Sequence, residues 1–279
     1  MNNAIADPVL EVVDSDAASS LVKIEATPDG IATVLIDRAS KKNAFDAEVI
    51  GALDQAFETL EAADGVRVVF LRGAGGTFSA GADLEWMRAA AARSEGDNRD
   101  DAMAMARMLK RLYDLPMLTV ALIEGAAFGG GAGLAAACDM AIAVESARFS
   151  FSEVKLGLVA ATISPYVVAA IGPRRARALF ATGRVFTAGE ARGIGLVDGL
   201  VPDAAALSAA ADALGRDMKL CGPIAVAESK RLVEHVAGKT IDHGLMADTA
   251  HWIARVRVSP EGQDGVGAFL DRRRPSWAQ

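Results

Sequence analysis

Two β-rich runs, residues 21–26 and 31–37, flank Thr27-Pro28-Asp29-Gly30, a cluster with turn chemistry, and together they predict a hairpin. Residues 46–63 place Val49, Leu53, Phe57 and Leu60 on one stripe at helical spacing, so an amphipathic helix capped by Asp46 follows. Short apolar runs at 66–71 and 117–123 end at Arg72-Gly73 and Glu124-Gly125, each in a glycine-rich loop ahead of a helix. This rhythm of strand, glycine loop and helix predicts an α/β domain whose ligands sit at the carboxyl ends of the strands. Residues 89–101 turn polar and charged, and predict a mobile loop of the kind that covers ligand sites. Thr187 and Glu190 have the spacing of a capping box, and a helix start accounts for both. Past residue 201 strand signals vanish. Helical periodicity then runs through 204–218, 224–235, 241–255 and a last short helix ending in Arg272-Arg273-Arg274. The expected organisation is a flexible tail over 1–20, an α/β core over 21–200 and a helical C-terminal region over 201–279.

The 279 residues are ample to bury a core. Hydrophobic residues make up 52% of the chain but aromatics only 5%, so the interior is built from Ala, Val, Leu and Ile in many small contacts. A net charge of -7 argues against a nucleic-acid or anionic-lipid partner, and any phosphate-bearing ligand needs local Lys or Arg. Cys138 and Cys221 lie far apart with no CxxC or His-rich companion, so neither a disulfide nor a zinc site is expected, and a reducing cytoplasm fits. The first residues carry Asp7, Glu11, Asp14 and Asp16 and lack the basic start and apolar run of a signal peptide. The uncharged run 156–173 reaches the lower length of a membrane span. Gly157, Thr162, Ser164, Pro165 and Gly172 break it into a strand end, a loop and a short helix, so no membrane segment is expected. His235, His243 and His251 recur at even intervals, but Gly238 and Gly244 put them on separate helices and no metal is expected.

The candidate chemistry lies in two glycine loops and one acid. Residues 125–134 read Gly-Ala-Ala-Phe-Gly-Gly-Gly-Ala-Gly-Leu, directly after a strand and opening an Ala-rich helix. Glycines there let a ligand approach the N–H groups of a helix N-terminus, where unpaired donors and the dipole favour negative charge. That suits a phosphate site or an oxyanion hole. The GxGxxG spacing and the Lys-Ser or Lys-Thr of a Walker loop are both missing. A second loop, 73–84, repeats the placement, and two such loops can aim two donors at one carbonyl oxygen. Glu153 lies between an apolar strand and the apolar run 156–161, surroundings that raise a carboxyl pKa and suit it to proton transfer.

The ordered set Asn43-Ala44-Phe45, Phe78 through Leu84, Gly125 through Gly131, Cys138-Asp139, Ala147-Arg148-Phe149, Ala188 through Ala191 and Gly195-Leu196-Val197 resembles the crotonase (enoyl-CoA hydratase/isomerase) superfamily. The resemblance implies a crotonase-like α/β spiral of ββα units and a C-terminal helical region that assembles a homotrimer or hexamer. It implies an acyl-CoA thioester substrate whose carbonyl lies between the N–H groups of Ala82 and Gly130, with Glu153 as acid/base at carbon 2. Coenzyme A is part of that substrate, and no separate cofactor is needed. Substrate contacts are expected at Lys42, Ala44, Ala80, Asp83, Leu84 and Gly133, with Trp86 and Met87 shaping the acyl pocket. Lys41, Lys42, Lys230 and Arg272 to Arg274 are the candidate cations for the CoA phosphates.

Hydratases of the family commonly carry two glutamates, and here Gly133 stands at the first position and Glu153 at the second. Together with residues 152–158 and Ile163-Ser164-Pro165, this resembles the branch of methylglutaconyl-CoA or carboxygeranoyl-CoA hydratases. The leading expectation is a hydratase working with one carboxyl. A double-bond isomerase, a thioester hydrolase and a decarboxylase stay open as alternatives. Glu153 and the net acidity disfavour a non-catalytic acyl-CoA-binding or RNA-binding member.

Overall fold

The computed structural model describes residues 21–279, and the tail expected over 1–20 lies outside the described residues. The hairpin forms: β1 (Val22–Ala26) and β2 (Ile31–Ile36) pair antiparallel, with Val22 opposite Ile36. Helix α1 (Ala47–Ala62) starts at Asp46, whose carboxylate accepts the Val49 N–H, and it buries the stripe of Val49, Leu53, Phe57 and Leu60. Then follow β3 (Val68–Gly73), α2 (Leu84–Ala91), α3 (Glu95–Asp114), β4 (Leu118–Ile123), β5 (Ala126–Phe128) and α4 (Gly130–Ala137). The chain continues through β6 (Met140–Val144), β7 (Arg148–Ser150), α5 (Ser164–Ile171), α6 (Pro173–Thr182), β8 (Val185–Thr187), α7 (Ala188–Ile194) and β9 (Gly199–Val201). Thr187 and Glu190 do cap α7 reciprocally. Four helices close the chain: α8 (Ala204–Met218), α9 (Pro223–Val236), α10 (His243–Arg257) and α11 (Pro260–Leu270).

The main sheet has the order β1-β2-β3-β4-β6-β9 and is parallel from β2 onward, while β5, β7 and β8 form a second, smaller sheet. Because β2, β3 and β4 run the same way, the loops that leave Ile36, Gly73 and Ile123 gather at one edge. Four phenylalanines cluster at the second sheet, two of them on its own strands. Phe149 stacks on Phe186 at 5.7 Å and Phe151 meets Phe180 edge-on at 5.1 Å, which fixes the platform from which the loops project.

The polar stretch 89–101 is not the mobile loop its composition suggested. Helix α2 runs to Ala91 and α3 begins at Glu95 under a capping box, the Ser94 hydroxyl accepting the Asp97 N–H at 3.2 Å. Its charges are the solvent face of an amphipathic helix that buries Met105, Met108, Leu109 and Leu112. A capping box in a charged run was the overlooked signal. The run 156–173 opens on the last residue of a 3-10 turn (Glu153–Leu156), not on the expected strand end, and continues as a loop and α5; no described helix is long and apolar enough to cross a membrane.

Two of the expected CoA cations are used elsewhere. Lys230 Nζ on α9 donates to the carbonyls of Leu115 (2.6 Å) and Met117 (2.9 Å) and pairs with Asp139 at 2.7 Å. These groups precede β4 and β6, so Lys230 staples the helical region to the sheet edge opposite the glycine loops. The C-terminal segment lies at that same edge. Arg273 pairs with Asp264, Trp277 donates to the Leu220 carbonyl, and Arg67, just ahead of β3, donates to the Cys221 carbonyl. Within one chain Arg272 to Arg274 therefore sit away from the loops. Replacing Lys230 by Met should leave the Leu115 and Met117 carbonyls without this donor and Asp139 with Thr119 alone, and cost about 2 kcal/mol in urea unfolding, since hydrogen bonds to a charged group contribute about that much. An unchanged midpoint would show that the staple adds nothing.

Candidate active site

The two glycine loops are joined by backbone. Ser79 donates to the Ala126 carbonyl at 2.9 Å and accepts the Phe128 N–H at 3.0 Å, so the second loop runs as an extra rung beside β5. On its other side β5 pairs parallel with β7, Phe128 opposite Ser150, and the Gly129 N–H continues the ladder to the Ser150 carbonyl at 2.8 Å. Residues just past the ends of three parallel segments therefore lie side by side: Gly81-Ala82, Gly129-Gly130 and, after one more turn, Glu153.

Two glycines make this approach possible. Gly81 has φ 92° and a Cβ there would lie 2.9 Å from the Phe128 carbonyl oxygen, while a Cβ on Gly131 would lie 2.8 Å from the Ser79 side chain. They serve loop-on-loop packing, which leaves the neighbouring amides for a ligand. Ala82 is bracketed by 2.7 Å bonds, Phe45 N–H to the Gly81 carbonyl and Asp83 N–H to the Phe45 carbonyl. Alternation along a strand then turns the Ala82 N–H away from Phe45. Gly130 is the first residue of α4, so its N–H has no helical acceptor. Among the described residues neither the Ala82 nor the Gly130 N–H donates a hydrogen bond. Both flank Phe45: Ala82 is its bridge partner, and a Cβ on Gly130 would sit 3.0 Å from its ring.

Glu153 opens the 3-10 turn that follows β7. Its Oε1 lies 3.2 Å from where a Gly129 Cβ would be, and its Oε2 is buried without a hydrogen-bond partner. Burial pushes its pKa above the ordinary glutamate range, opposed in part by its own backbone N–H. Two uncommitted amides beside one protonatable carboxyl can hold a carbonyl whose oxygen gains negative charge while a proton moves at the adjacent carbon.

Comparison with known proteins agrees with this geometry. The sequence model described as enoyl-CoA hydratase/isomerase matches residues 26–279. The chain belongs to that family. A Thermus thermophilus protein assigned as an enoyl-CoA hydratase is 36% identical over 246 residues, 88% of this chain and 96% of its own. Among solved structures, a Legionella pneumophila protein assigned as an enoyl-CoA hydratase/isomerase (crotonase) superposes with a TM-score of 0.87 at 44% identity, covering 92% of this chain and 98% of its own. An enoyl-CoA hydratase from Shewanella pealeana reaches a TM-score of 0.89 at 38% identity, covering 92% and 96%. This chain is thus an enzyme of the hydratase/isomerase family with the crotonase fold.

Against that family frame several expected residues take sharper places. Gly133 lies in α4 directly against Ile163, and a Cβ there would fall inside the Ile163 side chain. The position of the first glutamate is therefore filled from the opposite side. The Asp83 side chain is engaged within the fold. It is 5% exposed, caps α2 through the Glu85 and Trp86 N–H groups, and pairs with Lys41 at 2.9 Å. Lys41 is also tied to Glu85, whereas Lys42 is exposed and forms no ion pair among the described residues. The Lys42 carbonyl accepts the Ala80 N–H, Ala44 is buried, and Leu84 is 76% exposed beside the loops. Reading the sequence passed over Arg38, which touches Ala44, Asp46 and Asp83.

No cluster of His, Cys, Asp and Glu able to hold a metal occurs among the described residues. His235 meets Asp248 and Lys239 at the surface, and burial pushes the Cys138 thiol far up. Gly133→Glu should destabilise the fold by about 2–3 kcal/mol through overpacking against Ile163, and adding Ile163→Gly should recover part of that loss. Urea midpoints of the two variants check it. A single variant as stable as wild type would contradict the contact.

Proposed function

We propose that this family member adds water to a 2-enoyl-CoA thioester through an enolate held by the Ala82 and Gly130 amides, with Glu153 as its one acid/base. The observation that carries the reading is the buried, unpartnered Glu153 Oε2 beside the two uncommitted amides. The Glu153 carboxylate takes a proton from water as the water oxygen bonds to carbon 3. The electrons of the C2=C3 bond move into the thioester, and its oxygen becomes the enolate oxygen. The Glu153 carboxylic acid then returns the proton to carbon 2. Each amide stabilises the enolate more than the starting carbonyl, and one such donor contributes roughly 3–4 kcal/mol. Lys42, exposed and without an ion pair among the described residues, is assigned to a CoA phosphate.

A second reading draws on Gly133 and Ile163. With an aliphatic side chain in place of a second carboxyl, Glu153 alone can carry a proton between carbons 4 and 2 and shift a double bond without consuming water. Incubating 2-enoyl and 3-enoyl thioesters in D2O separates the two, since only hydration yields a 3-hydroxyacyl-CoA. A panel that includes 3-methylglutaconyl-CoA and carboxygeranoyl-CoA tests the branch. Assembly as a trimer or hexamer is proposed from the apolar side chains exposed on the last helices, among them Phe269 at 82% and Ile253 at 52%. Light scattering that gives a monomer mass at micromolar concentration would reject it.

Glu153→Gln should lower kcat by about 100-fold or more with CoA binding retained. Because burial raises the carboxyl pKa and the reaction starts from the carboxylate, kcat/KM should fall on acidification with a midpoint above the usual glutamate value. The stability effect has the opposite sense. The fold favours protonated Glu153, so its contribution is present at acid pH and lost as pH rises through the raised pKa. Glu153→Gln should therefore be the more stable protein at neutral pH. Near-normal activity in this variant, or an unchanged acid limb, would remove Glu153 from the mechanism.

A further inference from the structure

The oxyanion-binding reading leaves one question open: what aims the Ala82 amide. Alanine has no side chain with which to anchor itself, so its orientation is imposed by neighbours. The Phe45 backbone pins the residues on either side of it, and the residues that flank Phe45 in the chain are themselves held by one guanidinium.

Arg38 lies in the loop after β2 with its side chain 13% exposed. Its Nη2 pairs with Asp46 Oδ2 at 2.6 Å, and its Nη1 donates to the Ala44 carbonyl at 3.0 Å and faces Asp83 Oδ2 at 3.5 Å. It thereby grips both residues that flank Phe45 in the chain and the residue that follows Ala82. Asp46 and Asp83 are also the N-caps of α1 and α2, so the guanidinium joins the starts of two helices. The Arg38 N–H donates to Asn43 Oδ1 at 3.0 Å, and the fully buried Asn43 donates onward to the carbonyls of Ala74 and Thr77. The base of the Arg38 loop is thus fastened to the loop after β3, and the fork has a fixed origin.

We propose that Arg38 is a positioning residue, holding the Phe45 strand against the Asp83 turn so that the Ala82 N–H points at the thioester oxygen. The proposal rests on the assignment of that amide to the oxyanion. Two carboxylates and a carbonyl require a planar group with several divergent donors, which Arg supplies and the single ammonium of Lys does not. Lys41 touches Asp83 from the solvent side but does not reach the Phe45 strand, so it cannot replace the clamp.

The test compares wild type with Arg38→Met and Arg38→Lys by three readouts. These are kcat and KM, the Kd of a thioether analogue lacking the carbonyl, and the absorbance of an aryl enoyl thioester bearing an electron-donating amine, which shifts to the red when its carbonyl is polarised. A displacement of about 1 Å in a reacting group can cost about 100-fold, so both variants should lose roughly 10- to 100-fold in kcat. The red shift should shrink in parallel, while the thioether Kd stays close to that of wild type. If Arg38→Met does not fold, Arg38→Met/Asp83→Asn, which removes one stranded charge, is measured in its place. Wild-type kcat and red shift in the variants would overturn the clamp. So would an equal loss of thioether binding, which would mark general loosening of the site. Absence of a red shift in wild type would instead defeat the oxyanion assignment itself.

Discussion

Ser79 exchanges two hydrogen bonds with β5, and β5 is in parallel register with β7. Both glycine loops and the turn that carries Glu153 hang from those rungs. Adjacent strands are held ~4.8 Å apart by their ladder. Groups that follow the ends of three neighbouring segments therefore gather within the reach of one small functional group. Neither glycine loop could place its amide alone. The contact between them is closed by Gly81 against Phe128 and by Gly131 against Ser79, where any side chain would hold the loops apart. Phe149 and Phe186 of the small sheet pack with Phe151 and Phe180 in one aromatic cluster.

Around that frame the protein accepts local costs. Glu153 keeps a buried carboxyl oxygen without a partner, an arrangement that favours the protonated acid and weakens the fold when the group ionises. A hydrogen-bond donor to the carboxylate would remove that cost and lower the pKa. Gly133 and Ile163 show the reverse economy. A helix position that could have carried a second acid is instead close-packed by an aliphatic neighbour.

Cations in this acidic chain are largely committed to structure. Lys230 holds α9 to the ends of the sheet, Arg38 joins two helix caps, and Lys41 is neutralised between Asp83 and Glu85. Their positions explain why proximity in a motif misleads. Lys41 and Lys42 are neighbours in sequence, yet Lys42 adopts a left-handed backbone at φ 52° and carries no ion pair among the described residues. Asp83, beside the loops, is likewise spent: it faces inward to cap α2.

Local chemistry determined a great deal by itself. The turn at residues 27–30, the cap at Asp46, the stripe on α1, the capping box of α7 and the succession of C-terminal helices follow from neighbours a few residues apart, and periodicity and capping are interactions of that range. The family, too, was legible, because its motif is an ordered series of short local patterns. What the sequence could not settle were contacts between segments remote in the chain. Composition marked 89–101 as loop; the Ser94 capping box was the local sign of α3, and the burial of Met105, Met108 and Leu109 against the core is what holds that helix in place. Nothing near Lys230 announced its acceptors at Leu115 and Met117, more than a hundred residues away. The same holds for Gly133 and Ile163, and for Arg38 and Asp83. A side chain's identity fixes what it can bond, but which partner it meets depends on the register of the sheet, and that is decided only when the whole chain packs.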